Sequence, residues 1–214
     1  VYVFLCCLLS FLIGGIPFGY LMGRLLLKDD IRNHGSGNIG ATNVGRVIGW
    51  KWGGIVLFLD ALKGLIPTIV AMKFAAANFP ESMHWHLPVA AGMSAIVGHM
   101  YPIYLKLRGG KGVATALGVV LVLAPKAVGL ALIAFLLVMA ATRVVALASM
   151  LAAVVFGVAH LFLTWDQAFQ PPNASLTAFA IAIPLLIIWR HRSNIKRMLG
   201  GAEEAIIAPK SDAE

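Results

Sequence analysis

Seven residues, Lys106-Leu107-Arg108-Gly109-Gly110-Lys111-Gly112, set three cations among three glycines between two apolar runs. Glycines let a backbone approach a ligand closely and turn its N–H groups toward it. Val113-Ala114-Thr115 then opens an expected helix, whose N-terminus carries partial positive charge. Together these parts describe a cradle for an anion such as phosphate. The bland alternative is a short turn whose cations only set membrane topology. Gly112 follows the lysine where a Walker A loop needs Ser or Thr to hold magnesium, so a metal-nucleotide site is not expected.

A second polar stretch, His34-Gly35-Ser36-Gly37-Asn38-Ile39-Gly40-Ala41-Thr42-Asn43-Val44-Gly45-Arg46, offers hydroxyls and amides and ends in an Arg that could pair with an oxyanion. Its G-x-G-x-x-G pattern follows no apolar strand and leaves no room for a βαβ unit, so a dinucleotide fold is rejected. Asp60 and Lys63 stand one helical turn apart inside an apolar run and are expected to pair and dock loops. His99 is placed near the middle of a span, where it could donate to a loop carbonyl or a ligand. Arg143 occupies a two-residue turn, and His191 and Asn194 share a helix face at spacing i, i+3.

These residues sit on a scaffold that is 60% hydrophobic and only 12% charged over 214 residues, with mean hydropathy +0.87. A soluble domain would carry roughly 25% charge. The fold class expected is therefore all-α and polytopic in a membrane, without the alternating segments of a barrel. The formal charge of +8 suits anionic lipid or substrate. Cys6 and Cys7 are neighbours in the first apolar run and make neither a disulfide framework nor a zinc pattern. That first run reads as a membrane helix and not a cleaved signal, lacking a basic n-region.

Spans are expected over residues 1–27, 52–73, 88–105, 144–163 and 174–189, with polar loops at 28–51 and 106–112. The run 113–141 either forms one long helix or breaks at Ala124-Pro125-Lys126 into two half-length helices. Charge separates the two readings. With the break there are seven spans, N-terminus out and C-terminus in. The inside then holds Arg24, Lys28, Arg32, Arg46, Lys51, Lys106, Arg108, Lys111, Arg143, Arg190, Arg192, Lys196, Arg197 and Lys210, which is 14 of the 17 cations. Without it, the tail and the central loops fall on opposite sides, against the positive-inside rule. Both polar loops and the C-terminal motif thus converge on one face. Residues 198–214 are expected to be a loosely ordered cytoplasmic tail on a single domain spanning 1–214.

In order along the chain, S-G-N-I-G-A-T-N-V-G-R, D-A-L-K-G, G-H-M-Y-P with L-R-G-G-K-G-V-A-T, T-R-V-V-A-L-A-S and H-R-S-N-I-K-R-M-L-G-G-A-E resemble the signature segments of the bacterial acyl-phosphate:glycerol-3-phosphate acyltransferase (PlsY) family. The resemblance covers Ser36 to Glu203. It implies a seven-span inner-membrane enzyme, its site facing the cytoplasm, that moves a fatty acyl group from acyl phosphate to the 1-hydroxyl of glycerol 3-phosphate. Lysophosphatidic acid and phosphate would leave. The H-x-x-x-x-D motif of other glycerolipid acyltransferases occurs at none of the six histidines.

Carried onto this chain, the resemblance implies Ser36, Arg46 and Lys111 as phosphate-binding catalytic residues, with His191 the fourth member of the catalytic set. Asn43, His191 and Asn194 would orient glycerol 3-phosphate, and N–H groups of Gly109, Gly110 and Gly112 would assist. Gly37, Asn38, Thr42, His99, Thr115 and Arg143 complete the expected substrate-binding shell. No cofactor or metal is expected, and no nucleic acid. The expected partners are the two substrates, membrane lipid and an enzyme that supplies acyl phosphate. The acyl tail would run between spans along Gly15, Gly19 and Gly23 of the first helix. The rival reading is a membrane carrier for phosphorylated metabolites, which broken helices aimed at an anion would also suit.

Overall fold

A computed structural model describes residues 1–171, 173–203 and 205–206. The cation Lys210 and the expected tail beyond residue 206 lie outside the described residues. Among those described, the regular structure is helical throughout, as the composition requires. The helices are α1 (Tyr2–Gly14), α2 (Phe18–Leu26), α3 (Ala41–Val47), α4 (Trp50–Asn78), α5 (His86–Met100), α6 (Val113–Leu123), α7 (Pro125–Thr142), α8 (Val145–Thr164), α9 (Ala174–Arg190) and α10 (Arg192–Leu199).

Four stretches are long and apolar enough to cross a membrane: α1 with α2, α4, α7 and α8. A fifth arises if α9 and α10, bent by 55°, count as one. Large apolar side chains such as Phe58, Leu136, Leu137 and Phe162 cover the outside of α4, α7 and α8, the arrangement hydrocarbon demands.

The chain does break at Ala124, but unequally. α6 has 11 residues, whereas α7 has 18 and is about 27 Å long, so only α6 is half-length. Pro125 explains the break: it lacks an N–H and its fixed φ suits the first position of a new helix. Other boundaries move too. α4 continues past Lys73 to Asn78, part of the 28–51 loop folds as α3, and α5 stops at Met100. His99 therefore stands at a helix end beside the glycine-lysine loop and not in mid-span. The first span is kinked at Gly15-Ile16-Pro17, and Lys63, paired with Asp60 at 2.7 Å, donates to the Ile16 carbonyl at 2.8 Å.

The body is assembled by α4 against α6, α7 against α8, α1 against α5 and α8 against α9. Lipid is as apolar as Leu, so helices here gain little from hydrophobic burial and depend on close backbone approach. Gly64 and Gly118 provide it where α4 crosses α6. A Cβ on Gly118 would overlap the Ala61 carbonyl, and one on Gly64 the Thr115 carbonyl. Gly118→Val should therefore cost about 1–3 kcal/mol through overpacking, seen as a lower thermal unfolding midpoint in detergent. An unchanged midpoint would contradict the close crossing of α4 and α6.

Candidate active site

Between α5 and α6 the chain makes a tight return. Lys106 and Leu107 both take left-handed backbone conformations, with φ of 52° and 64°. The Gly109 N–H donates to the Met100 carbonyl at 3.2 Å, and the Gly110 N–H to the His99 carbonyl at 3.1 Å. These two donors are spent on the end of α5, which corrects the expectation that they face an anion. Gly110 also abuts the His99 imidazole, so a Cβ there would strike the ring. Free helix-start N–H groups belong to the first turn of α6, which Gly112 opens at φ +84°. Burial pushes the Lys111 ammonium down to about 8. Arg197, Arg46 and Arg190 depress it further, and Glu203 opposes them.

The asparagine-rich loop is tied by one side chain. The Asn43 amide is buried and donates to the carbonyls of Asn38 (2.8 Å), His34 (3.0 Å) and Ile31 (3.2 Å). Its oxygen accepts from the Ser36 N–H at 2.7 Å. Every polar atom of Asn43 is thus engaged with backbone, so it shapes the loop that carries Ser36 and has no donor left to orient a ligand. Asn38 caps its own turn, accepting from the Gly40 N–H at 2.9 Å.

The two loops and the end of α9 enclose one cavity of about 150 Å³. Ser36, Asn38, Thr42, Asn43, Arg46, His99, Lys111, Gly112, His191 and Asn194 all border it. Gly37, Gly109, Gly110, Thr115 and Arg143 do not line it. Gly37 and Gly109 border a neighbouring crevice with Arg32 and Arg108. Thr115 is buried at the crossing with Gly64, and the Arg143 side chain is exposed. The His191 ring donates from Nδ1 to the Ile187 carbonyl at 2.8 Å, a carbonyl being able only to accept. In the neutral ring, Nε2 then carries the lone pair.

Residues 198–203 are not a loose tail. The Ala202 N–H returns to the Arg197 carbonyl, and Glu203 reaches the cavity wall, accepting from Asn194 at 2.6 Å and Arg197 at 2.7 Å. The Ile206 N–H closes the strap on the Arg143 carbonyl at 2.8 Å. Asn194 Oδ1, on the cavity wall, has no hydrogen-bond partner among the described residues, whereas Asp60 Oδ1, also on a wall residue, is engaged by Lys63 Nζ at 2.7 Å. The Asn194 oxygen suits a ligand that brings a hydroxyl group as well as an anion.

An apolar cleft of about 310 Å³ adjoins this cavity, between α6, α7, α8 and α9. Leu57, Val113, Ala114, Phe135 and Ser149 wall both spaces. The expected path along the first helix is closed instead: Gly19 meets the Ile39 carbonyl, Gly23 meets Ile31, and Gly15 meets the Tyr104 ring.

A model of the glycerol-3-phosphate acyltransferase family matches residues 4–201. The glycerol-3-phosphate acyltransferase of Myxococcus xanthus is 48% identical over 192 residues, covering 89% of this chain and 93% of its own. That of Geobacillus kaustophilus is 42% identical over 205 residues, covering 96% of each. This chain belongs to the glycerol-3-phosphate acyltransferase family. It also superposes on crystal structures of PlsY (YgiH), an integral membrane glycerol 3-phosphate acyltransferase. The glycerol 3-phosphate form gives a TM-score of 0.84 at 38% identity, over 97% of this chain and 96% of that one. The lysophosphatidic acid form gives 0.80 at 37%, over 96% and 95%.

In this acyltransferase, sequence reasoning had passed over three residues that shape the site. Asp60 read only as half of a buried pair, Arg190 only as a topological charge, and Glu203 lay in the expected tail. Spacing to His191 was the available signal for Arg190.

The Lys111 environment gives a pH dependence with a definite sign. Anion binding needs the ammonium form, so inorganic phosphate affinity should fall as pH rises through about 8. A lysine free in the unfolded chain titrates near 10.5. The unliganded fold consequently carries the burial penalty below about 8 and sheds it between 8 and 10.5. Calorimetric titrations across pH 6–10 check this; constant affinity through that range would contradict it.

Proposed function

We propose that this acyltransferase moves a fatty acyl group from acyl phosphate to the 1-hydroxyl of glycerol 3-phosphate, giving lysophosphatidic acid and inorganic phosphate. One observation carries the reading: a cationic polar cavity and an apolar cleft share a wall. Such a junction suits a reaction between a phosphorylated polyol and a carbonyl on a fatty chain. The chain would lie in the cleft between α6 and α9. The reacting carbonyl would then sit beside Val113, Ala114 and Ser149, with both phosphates among Ser36, Arg46 and Lys111.

The chemistry needs no metal, since Lys111 and Arg46 supply the charge that keeps two phosphates from repelling. The glycerol hydroxyl attacks the acyl carbon, the bond from that carbon to the phosphate oxygen breaks, and the hydroxyl proton passes to the departing phosphate. Acyl phosphate is an activated mixed anhydride, so positioning and oxyanion stabilisation by N–H groups in the first turn of α6 can supply most of the rate. His191 and Asn194 orient the acceptor, with His191 Nε2 the secondary proton acceptor.

The chain acts as one unit of seven membrane helices, its N-terminus outside and its C-terminus inside, in a bacterial inner membrane. The cations of the loops support this orientation. Its donor comes from a separate enzyme that makes acyl phosphate, and the site opens to the cytoplasm.

Phosphate release from acyl phosphate, with and without glycerol 3-phosphate, tests the reading in purified protein. Release should require both substrates, fall about 10²-fold or more in Lys111→Ala, and not be replaced by turnover of acyl-coenzyme A. Release that ignores glycerol 3-phosphate, or equal use of acyl-coenzyme A, would overturn it.

A further inference from the structure

The glycine-lysine loop is held at both ends of its peptide planes, and one side chain does half of that work. Arg190, the last residue of α9, donates through its guanidinium to the carbonyls of Gly110 (2.6 and 3.2 Å), Gly109 (3.2 Å) and Met100 (3.4 Å). It lies over the rings of Tyr101 at 5.1 Å and Trp189 at 5.9 Å. Among the described residues no carboxylate pairs with it. A cation placed among carbonyls and aromatic faces, with no acid to neutralise it, is there for the backbone it grips.

The consequence follows from peptide geometry. In a trans peptide the C=O and the following N–H point in opposite directions. Holding the Gly110 carbonyl toward Arg190 therefore turns the Lys111 N–H away from it. Holding the Gly109 carbonyl likewise sends the Gly110 N–H to the His99 carbonyl, where it is found. Lys111 lines the cavity, and the residue after Arg190 is His191, which lines it too. One helix end thus sets both the orientation of the loop and the placement of the imidazole.

We propose that Arg190 is a positioning residue for phosphate binding: by clamping the carbonyls of Met100, Gly109 and Gly110, it fixes the Lys111 N–H and side chain toward the bound anion. Arg is suited to this by its rigid fork of five donors, which a single ammonium cannot reproduce across three carbonyls. The clamp rests on the reading that the cavity binds substrate phosphate, but its test uses inorganic phosphate and no acyl transfer.

The experiment compares wild type, Arg190→Lys and Arg190→Gln, measuring inorganic phosphate affinity by calorimetry, the thermal midpoint, and the pH at which affinity falls. Arg190→Lys keeps the charge and loses the fork. It should fold with a midpoint near wild type and bind phosphate roughly ten- to hundredfold more weakly, the scale expected when binding groups are misplaced. Arg190→Gln should weaken binding at least as much. It should also move the alkaline fall in affinity upward, since Arg190 is one of the charges that depress Lys111, alongside Arg46 and Arg197 and against Glu203; His191 and His99 are its other titratable neighbours. A purely structural role would lower the midpoint without separating Lys from Gln in the pH profile.

Wild-type affinity in a folded Arg190→Lys overturns the clamp, and if Arg190→Gln fails to fold, Arg190→Lys alone decides. Normal clamp behaviour in a protein that does not transfer acyl groups would sink the functional reading and leave the clamp standing.

Discussion

Irregular backbone that enters a membrane-embedded helical body must have its N–H and C=O groups satisfied from within, because lipid offers none. Three places in this chain meet that demand with a side chain carrying several donors. Lys63 caps the Ile16 carbonyl at the kink of the first span. Asn43 gathers three carbonyls and one N–H of the 31–43 loop. Arg190 gathers three carbonyls around the glycine-lysine loop. Without these, the loops would have to form more helix, and a cavity of this composition could not sit between spans.

The same devices divide donors from acceptors. Asn43 and the end of α5 absorb the N–H groups of Ser36, Gly109 and Gly110, leaving side-chain cations and the first turn of α6 to meet an anion. Lys111 is costly to keep charged where it stands, so a phosphate relieves a penalty as well as adding hydrogen bonds. The unpartnered oxygen of Asn194 gives the same chamber a complementary demand for a hydroxyl donor. Beyond the shared wall the lining turns apolar, and the chemistry proposed for this acyltransferase occurs at that boundary.

Much of this was legible along the chain. Glycine with lysine, hydroxyl and amide residues in a hydrocarbon-rich sequence announced the two loops, and charge sidedness brought them to one face. Ser36, Arg46, Lys111, His191 and Asn194 do border one chamber. What stayed hidden needed three dimensions. Asn43 has the same composition signal whether its amide faces a ligand or the backbone. Arg190 is indistinguishable, in sequence, from a cation that only sets topology. The apolar cleft could not be read from helices that are hydrophobic all round. Glu203 enters the site because a short strap doubles back after α10, a turn that no periodicity announces.

Nitrogen–phosphorus dipolar recoupling by solid-state NMR, on protein labelled with 15N at lysine Nζ and saturated with glycerol 3-phosphate in lipid, addresses the central claim most directly. A single lysine resonance should show phosphorus dephasing at hydrogen-bonding separation, and it should vanish in Lys111→Met. Dephasing of a different lysine, or of none while the ligand is bound, would contradict the account.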